Sequence, residues 1–224
     1  MPDKQEIFEE FQSVFSGKQP ILDSVLPPLL FALTNGLFGF KAAMWISLGF
    51  GGLLTIARLL RRQSLWYALG GLGAALLAMG LSVLSGRAES YFLPGIINGG
   101  ITVLVLLASV IIQRPAVAFT SHLTRRWPPG WYWHPQVRPA YSEVTLAWVI
   151  FFGLKLAVQA WFYTRGDADA LALFNIISGW PATILLLAGS YIYGLKRLEA
   201  LHGPSVEEFN MNTPPPWQGQ RRGF

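Results

Sequence analysis

The chain has 224 residues, of which 52% are hydrophobic and only 13% charged, and its mean hydropathy is +0.40. This balance lies outside the range typical of soluble domains and indicates an integral membrane protein. Because the chain contains no cysteine, disulfides and thiolate metal sites are excluded, and the net charge of +5 has to be interpreted from where the basic residues lie.

Residues 1–19 predict a cytosolic amphipathic helix and a linker. Ile7, Phe8 and Phe11 lie near one side of such a helix, whereas the acidic residues lie largely elsewhere. A partly frayed terminus that docks on the protein is the alternative. The first ten residues are too acidic and polar for a signal peptide, so we expect the N-terminus in the cytosol.

Residues 21–60 are almost continuously apolar and are barely long enough for two membrane spans. A break of polar and flexible residues predicts two short helices, over 21–37 and 41–57. A re-entrant hairpin that never crosses the membrane is the alternative. Basic residues follow the second helix and are expected to anchor it at the cytosolic face: Arg58, Arg61 and Arg62.

The third and fourth spans are predicted over 65–84 and 91–112. Small residues recur every four positions on one face of the third span, a spacing that lets two helices pack backbone to backbone. This face consists of Gly70, Ala74, Ala78 and Ser82. Packing within the chain and homodimerisation both satisfy the pattern.

Residues 113–141 are predicted to form a cytosolic loop in which basic and aromatic residues alternate. Tryptophan favours the headgroup region, and arginine favours the anionic inner leaflet. An RNA-stacking surface is the alternative, but the flanking spans tie the segment to the membrane, so no nucleic acid partner is expected. The predicted interface anchors are Arg114, Arg125, Arg126, Trp127, Trp131 and Trp133.

The fifth and sixth spans are predicted over 142–163 and 171–195, and a Pro-rich cytosolic tail, disordered or extended, over 199–224. The sixth span is expected to be loosened by Asn175, Ser178, Gly179 and Pro181. The fold class is therefore all-α, a polytopic transmembrane bundle of about six spans that occupies residues 20–198. Both termini are placed in the cytosol by the positive-inside rule. Of the 17 Lys and Arg residues, three fall outside and one within a span, which leaves 13 on the cytosolic segments.

Lys155 is the one formal charge that lies deep inside a predicted span. Gln159 shares its helical face, so the ammonium and the amide should look into the bundle or a wet cavity rather than at lipid. With Asn98 and Asn175 they form a candidate intramembrane polar site. Lys155 either binds a solute, a proton or a lipid headgroup, or is a structural lysine bonded to the carbonyls of broken spans or snorkelling to the interface.

No catalytic, cofactor or metal site is predicted. The three His all lie in predicted cytosolic segments, and no zinc-protease or serine-hydrolase motif occurs. The carboxylates within or near the spans are Asp23 and Glu143, both at the interface. We therefore expect a protein that is not an enzyme and needs no cofactor.

Short apolar motifs carry a family resemblance. Gln113–Phe119, Leu146–Phe152 and Gly189–Tyr193 resemble the intracellular septation protein A family of small bacterial inner-membrane proteins. The first half, with Phe15–Pro20 and Leu26–Phe31, is similar to a related uncharacterised bacterial membrane family. The resemblance implies a role in cell-envelope maintenance or division through protein contacts, and it supplies no catalytic residues.

Two functions follow as hypotheses. The first is a non-enzymatic protein of the bacterial inner membrane that acts as a scaffold or accessory subunit of an envelope or membrane complex. Its partners would be the lipid bilayer and another membrane protein or a second copy of the chain. The alternative is a small-solute transporter or channel that uses Lys155 and Gln159.

Overall fold

A computed structural model of the protein describes residues 65–220 and 222–224, together with the isolated positions 34, 42, 45, 46, 49–53 and 56. At 65–72, 74 and 75 it describes the backbone alone. The predicted N-terminal helix and most of the first two predicted spans lie outside the described residues, as do Arg58, Arg61 and Arg62.

The described residues form helices joined by short turns, and no strand occurs among them. A single 3-10 helix, Ala88–Phe92, precedes α2. In chain order the α-helices of this part are α1 (Leu65–Ser85), α2 (Leu93–Ile111), α3 (Ala116–Arg125), α4 (Pro129–Tyr132), α5 (Arg138–Arg165), α6 (Ala168–Ile177), α7 (Trp180–Leu201) and α8 (Val206–Asn210).

Within the described residues, three helical stretches are long and apolar enough to cross a membrane by length and composition: Ala88–Ile111, Arg138–Arg165 and Ala168–Leu201. A shorter apolar helix, Leu76–Ser85, forms the second half of α1. Large apolar side chains on the long helices are exposed, as lipid contact requires, and Leu154 and Leu185 are 65% and 74% exposed. An all-helical protein with three candidate spans agrees with the predicted class, whereas six spans and the orientation of the termini stay predictions.

Helices α1, α2 and α5 cover the segments that the sequence assigns to spans three, four and five, but the sixth segment, 171–195, is divided between α6 and α7. The division falls at Ser178 and Gly179. A Cβ on Gly179 would lie only 2.7 Å from the backbone oxygen of Asn175, closer than real Cβ atoms approach, so this tight path between the helices suits glycine.

The chain divides into two compact units, and the division falls within α2, α5 and α7. Among the described residues, the first unit comprises 100–154, 183–220 and 222–224. The second comprises 65–99 and 155–182, with the isolated positions before them. An aromatic cluster forms the core of the first unit, and its fully enclosed rings are Trp131, Tyr132 and Tyr141. The core of the second unit consists of Phe92, Ala168, Leu171 and Ala172.

The segment predicted to be a loop, 113–141, is largely helical and contains α3 and α4. Pro129 occupies the first position of α4, where its missing N–H is harmless and its fixed φ suits a helix start. Arg126, with φ of 55°, ends α3 in the left-handed conformation. The segment predicted to link two spans therefore has helices and a core of its own, built by its aromatic residues, and its cytosolic placement stays a prediction.

The tail was expected to be disordered or extended; it contains one short helix, and 211–220 and 222–224 have neither helix nor strand but are held by specific contacts. Ser205 begins α8 with a capping box, in which its hydroxyl accepts from the Glu208 N–H at 3.2 Å and its own N–H donates to Glu208 at 2.8 Å. The Glu208 carboxylate also accepts from the amides of Gln218 and Gly219, at 2.7 and 3.3 Å. These backbone donors, Gln218 first, lower the pKa of Glu208 to about 2.

The last residue holds the tail against the core of the first unit. The Phe224 ring stacks on Tyr141, with ring centroids 4.3 Å apart and planes at 7°. The ring also contacts Gly194 of α7, where an added Cβ would overlap it. The Arg125 Nε donates to the Phe224 backbone oxygen at 3.2 Å. These long-range contacts are what a reading of local composition misses.

Candidate functional site

Four polar residues come together between α5 and α6 in the second unit. Lys155 and Gln159 lie one turn apart on α5, and Asn175 and Ser178 lie one turn apart at the end of α6. The Lys155 Nζ donates to the Ser178 carbonyl oxygen at 3.1 Å, and the Gln159 Nε2 donates to the Asn175 Oδ1 at 2.5 Å. Two adjacent hydrogen-bonded pairs, here called rungs, therefore bridge the antiparallel helices. They include three residues of the predicted polar site: Lys155, Gln159 and Asn175.

The Ser178 carbonyl is available to Lys155 because α6 ends at this residue. The last carbonyl groups of a helix have no donors from the helix itself, and here the ammonium supplies one. The chain then turns through Gly179, and α7 begins at Trp180 with Pro181 in its first turn, where proline is tolerated. The interruption that the sequence indicated in the sixth span is thus the feature that receives the lysine.

Gln159 is buried, with 6% of its surface exposed, and α2 packs close to it. A Cβ on Gly99 would lie 3.8 Å from the Gln159 Oε1 and 3.7 Å from the Leu156 side chain. Asn98, the fourth residue of the predicted site, is exposed on α2, and its neighbour Gly99 is the α2 residue that approaches Gln159. The turn of α2 that contains Asn98 therefore approaches the site, and a contact of Asn98 with the other three residues stays a prediction.

The charge of Lys155 is not balanced by an ion pair within the described residues. Arg87 pairs with Glu89 at 2.5 Å, and Arg197 pairs with Glu143 at 2.8 Å. A half-buried ammonium with one carbonyl acceptor has part of its lost hydration replaced, but its positive charge persists. The bond to Ser178 is the one that the structural interpretation of Lys155 requires, and the remaining charge is what a binding site would use.

Glu143 belongs to a second polar cluster, in the first unit, which the sequence analysis missed. Its carboxylate accepts three hydrogen bonds from the Arg197 guanidinium, at 2.8 to 3.1 Å, and one from the Tyr193 hydroxyl at 2.6 Å. Tyr193 and Arg197 lie four residues apart on α7, a spacing that puts them on one face and was visible in the sequence. The cluster ties α5 to α7 through a carboxylate that is fully occupied by protein donors.

The predicted interface arginines pair with aromatic rings. The Arg114 guanidinium lies 4.4 Å from the centre of the Trp133 ring, and that of Arg125 lies 5.1 Å from the centre of the Trp127 ring. Such stacking orients the cations. Arg126 is exposed at the end of α3. Membrane anchoring by these side chains stays a prediction.

Trp131 requires a correction. Its ring has no exposed surface, and its indole Nε1 donates to the Pro204 carbonyl oxygen at 2.8 Å. A ring that is enclosed by protein cannot lie among lipid headgroups. Composition alone suggested an interface anchor because tryptophan is common both at interfaces and in cores.

The small-residue face of α1 packs within the chain at the two positions whose side chains are described. Ala78 and Ser82 are buried, and the Ser82 hydroxyl donates to the Arg87 carbonyl oxygen at 2.8 Å. The surroundings of the Gly70 and Ala74 side chains lie outside the described residues. The structure therefore favours the intrachain alternative for half of this face.

Two titratable residues of the 113–141 segment have shifted pKa values. Burial raises the pKa of the Tyr132 hydroxyl, which also makes a 3.1 Å hydrogen bond with Ser121, and burial lowers the pKa of His134. Both side chains are therefore neutral near pH 7. Among the described residues, no group of three His, Cys, Asp or Glu could hold a metal ion.

Comparison with known proteins identifies a family for this chain. No curated protein and no solved structure matches it. A family model described as "protein of unknown function (DUF3159)" matches residues 15–200, which include all the described helices from α1 to α6 and nearly all of α7. This agrees with the predicted similarity to an uncharacterised family. The chain therefore belongs to the DUF3159 family of proteins of unknown function.

Proposed function

We propose that this protein is a non-enzymatic scaffold or accessory subunit of a membrane complex in the bacterial inner membrane. The observation that carries the proposal is the use of its carboxylates. Glu143 is held by Arg197 and Tyr193, Glu89 by Arg87, and Glu208 by three backbone amides. These three carboxylates of the described part of the chain are occupied by protein donors, and those of Glu143 and Glu208 hold two helices and the tail in place.

Two further observations support a scaffold. The aromatic core and the docked tail make the first unit rigid, which lowers the entropy lost when a partner binds. The resemblance to the septation protein A family, in the segments around α3, α5 and α7, indicates a role in the cell envelope through protein contacts. The partner is expected to be another membrane protein or a second copy of the chain.

Affinity purification from native membranes in a mild detergent tests the proposal. The tag belongs at the N-terminus, because the Phe224 ring is packed against Tyr141 and Gly194. We expect a stoichiometric partner that is absent from a control purification of an unrelated tagged membrane protein. Recovery of the chain alone, as a monomer, would count against a scaffold.

The second candidate function, small-solute transport, is favoured by a different observation. Lys155 is a cation within a candidate span, and it meets the chain where α6 and α7 are interrupted. Interrupted helices that expose backbone groups within the membrane are typical of transporter binding sites. Transport predicts flux of a solute into vesicles that contain the protein and loss of that flux in Lys155→Met, while Lys196→Met, which removes an exposed lysine, retains it. Equal flux in wild type and Lys155→Met would exclude a role for Lys155 in transport.

A further inference from the structure

We infer that Lys155 and Ser178, at the interruption between α6 and α7, form a binding site for a small anionic group such as a carboxylate or an inorganic anion. The inference rests on the second candidate function, because it names the class of solute that would use this site. The same chemistry is present in a lipid headgroup, so the experiment below separates a free solute from a lipid.

The ammonium of Lys155 has donors to spare. A lysine ammonium carries three N–H groups, and the hydrogen bond described for Lys155 is the one to the Ser178 carbonyl oxygen. Neither of the ion pairs in the described part of the chain includes this lysine. A cation with free donors inside a candidate span attracts an anion more strongly than it would in water, because the surroundings screen its charge poorly.

Ser178 supplies an independent observation. Only 8% of the residue is exposed, and its hydroxyl is buried without a hydrogen-bond partner, although its carbonyl oxygen receives Lys155. Buried hydroxyl groups are ordinarily paired, and an unpaired one marks a place where a ligand atom or a water is expected. The hydroxyl belongs to the residue whose carbonyl oxygen receives the ammonium, and a hydroxyl donor together with an ammonium is complementary to an anionic oxygen.

The start of α7 also carries positive partial charge, while the Lys155 ammonium offsets the negative partial charge at the end of α6. The helix begins at Trp180, two residues after Ser178, and the N-terminus of a helix carries a partial positive charge of roughly half an elementary charge. Anions bind readily at such ends. The Gln159 and Asn175 amides form a neutral rung next to Lys155, so they hold the α5 and α6 backbones in register without cancelling the charge. Lys155 and the unpaired Ser178 hydroxyl therefore belong to the same interruption, and no ion pair described for the chain includes Lys155.

Direct binding of radiolabelled acetate and radiolabelled inorganic phosphate to the full chain in detergent tests the site. We expect saturable binding of at least one of them, with one site per chain and with competition by the unlabelled anion. Lys155→Met should weaken it by at least about tenfold, because a hydrogen bond to a charged group is lost. Lys196→Met removes the same charge at an exposed position and should bind like the wild type.

Ser178→Ala is the second variant, and it keeps the carbonyl oxygen that receives Lys155. It should weaken anion binding several-fold, and it should not lower the thermal stability of the unliganded protein, because the lost hydroxyl has no partner to leave behind. This variant keeps the inference testable if Lys155→Met fails to fold, which elution on size exclusion would reveal.

A third probe distinguishes the source of the anionic group. Binding of short-chain phosphatidylglycerol that depends on Lys155, without binding of acetate or phosphate, would assign the site to a lipid headgroup. Absence of binding for all three probes, or binding that is the same in wild type, Lys155→Met and Ser178→Ala, would overturn the inference. Binding at Lys155 without flux into vesicles would keep the site and remove transport, whereas flux that survives Lys155→Met would keep transport and show that it does not use this site.

Discussion

Gly194 and Phe224 provide a sharp test of how the tail is held. The Phe224 ring lies between Tyr141, at 4.3 Å, and the backbone of Gly194, where a Cβ would overlap the ring. Gly194→Ala should therefore expel the ring from its place on the core. Overpacking of this kind costs about 1 to 3 kcal/mol. Phe224 is only partly buried, so the ring can leave toward solvent, which uncovers the face of Tyr141 on which it stacks.

Hydrogen exchange of a peptide that covers residues 213–224 measures the effect. The amides of Gln218 and Gly219 are bonded to Glu208 only while the tail is folded. A cost of about 1 to 3 kcal/mol corresponds to exchange that is roughly 5-fold to 150-fold faster. We expect this acceleration in Gly194→Ala and a similar one in Phe224→Ala.

The double variant Gly194→Ala/Phe224→Ala tests whether the two residues act through direct contact. Once Phe224 is alanine, the added methyl group of Gly194→Ala has no ring to displace, so the second change should have little further effect. This strong non-additivity is the signature of direct contact. If Gly194→Ala accelerates exchange as much in the Phe224→Ala background as in the wild type, the change acts through α7 itself and the reasoning is wrong.

Three further predictions follow from the structure. The pKa of Glu208 is lowered from 4.5 to about 2, so the contribution of its carboxylate to tail folding should be complete above pH 4.5 and lost as the pH falls toward 2. The indole proton resonance of Trp217 should report this transition. Glu208→Gln should abolish the transition. Lys155→Met should fold and elute near normally in detergent, whereas Lys155→Glu should not, because the Ser178 carbonyl oxygen repels a carboxylate. Equal yield and thermal stability of the two variants would mean that Lys155 faces water. For the proposed topology, Asp169→Cys should react with an impermeant maleimide from outside the cell and Thr120→Cys should not. Both positions are exposed in the protein, so a difference in labelling reports the side of the membrane. The reverse labelling pattern would invert the orientation.

The sequence by itself determined three of the long helices and the face of α5 that carries Lys155 and Gln159. Apolar runs bounded by Gly, Pro and basic residues predicted α1, α2 and α5, because the length of a span and its punctuation are local properties. Lys155 and Gln159 had to share a face, since helical periodicity alone places residues four apart together. The interruption of the sixth predicted span was also visible, in Ser178 and Gly179.

The tertiary structure decided which partners those side chains meet. The bond from Lys155 to the Ser178 carbonyl oxygen joins residues 23 positions apart, and Glu143 meets Arg197 across 54 positions. Hydropathy and periodicity describe each helix separately, so they cannot say which turns of two helices face each other. For the same reason composition assigned Trp131 to the membrane interface and the tail to disorder. Only the packing of α3, α4 and the tail around one aromatic core encloses that ring and holds Phe224 in place, because burial depends on residues that are distant in the chain.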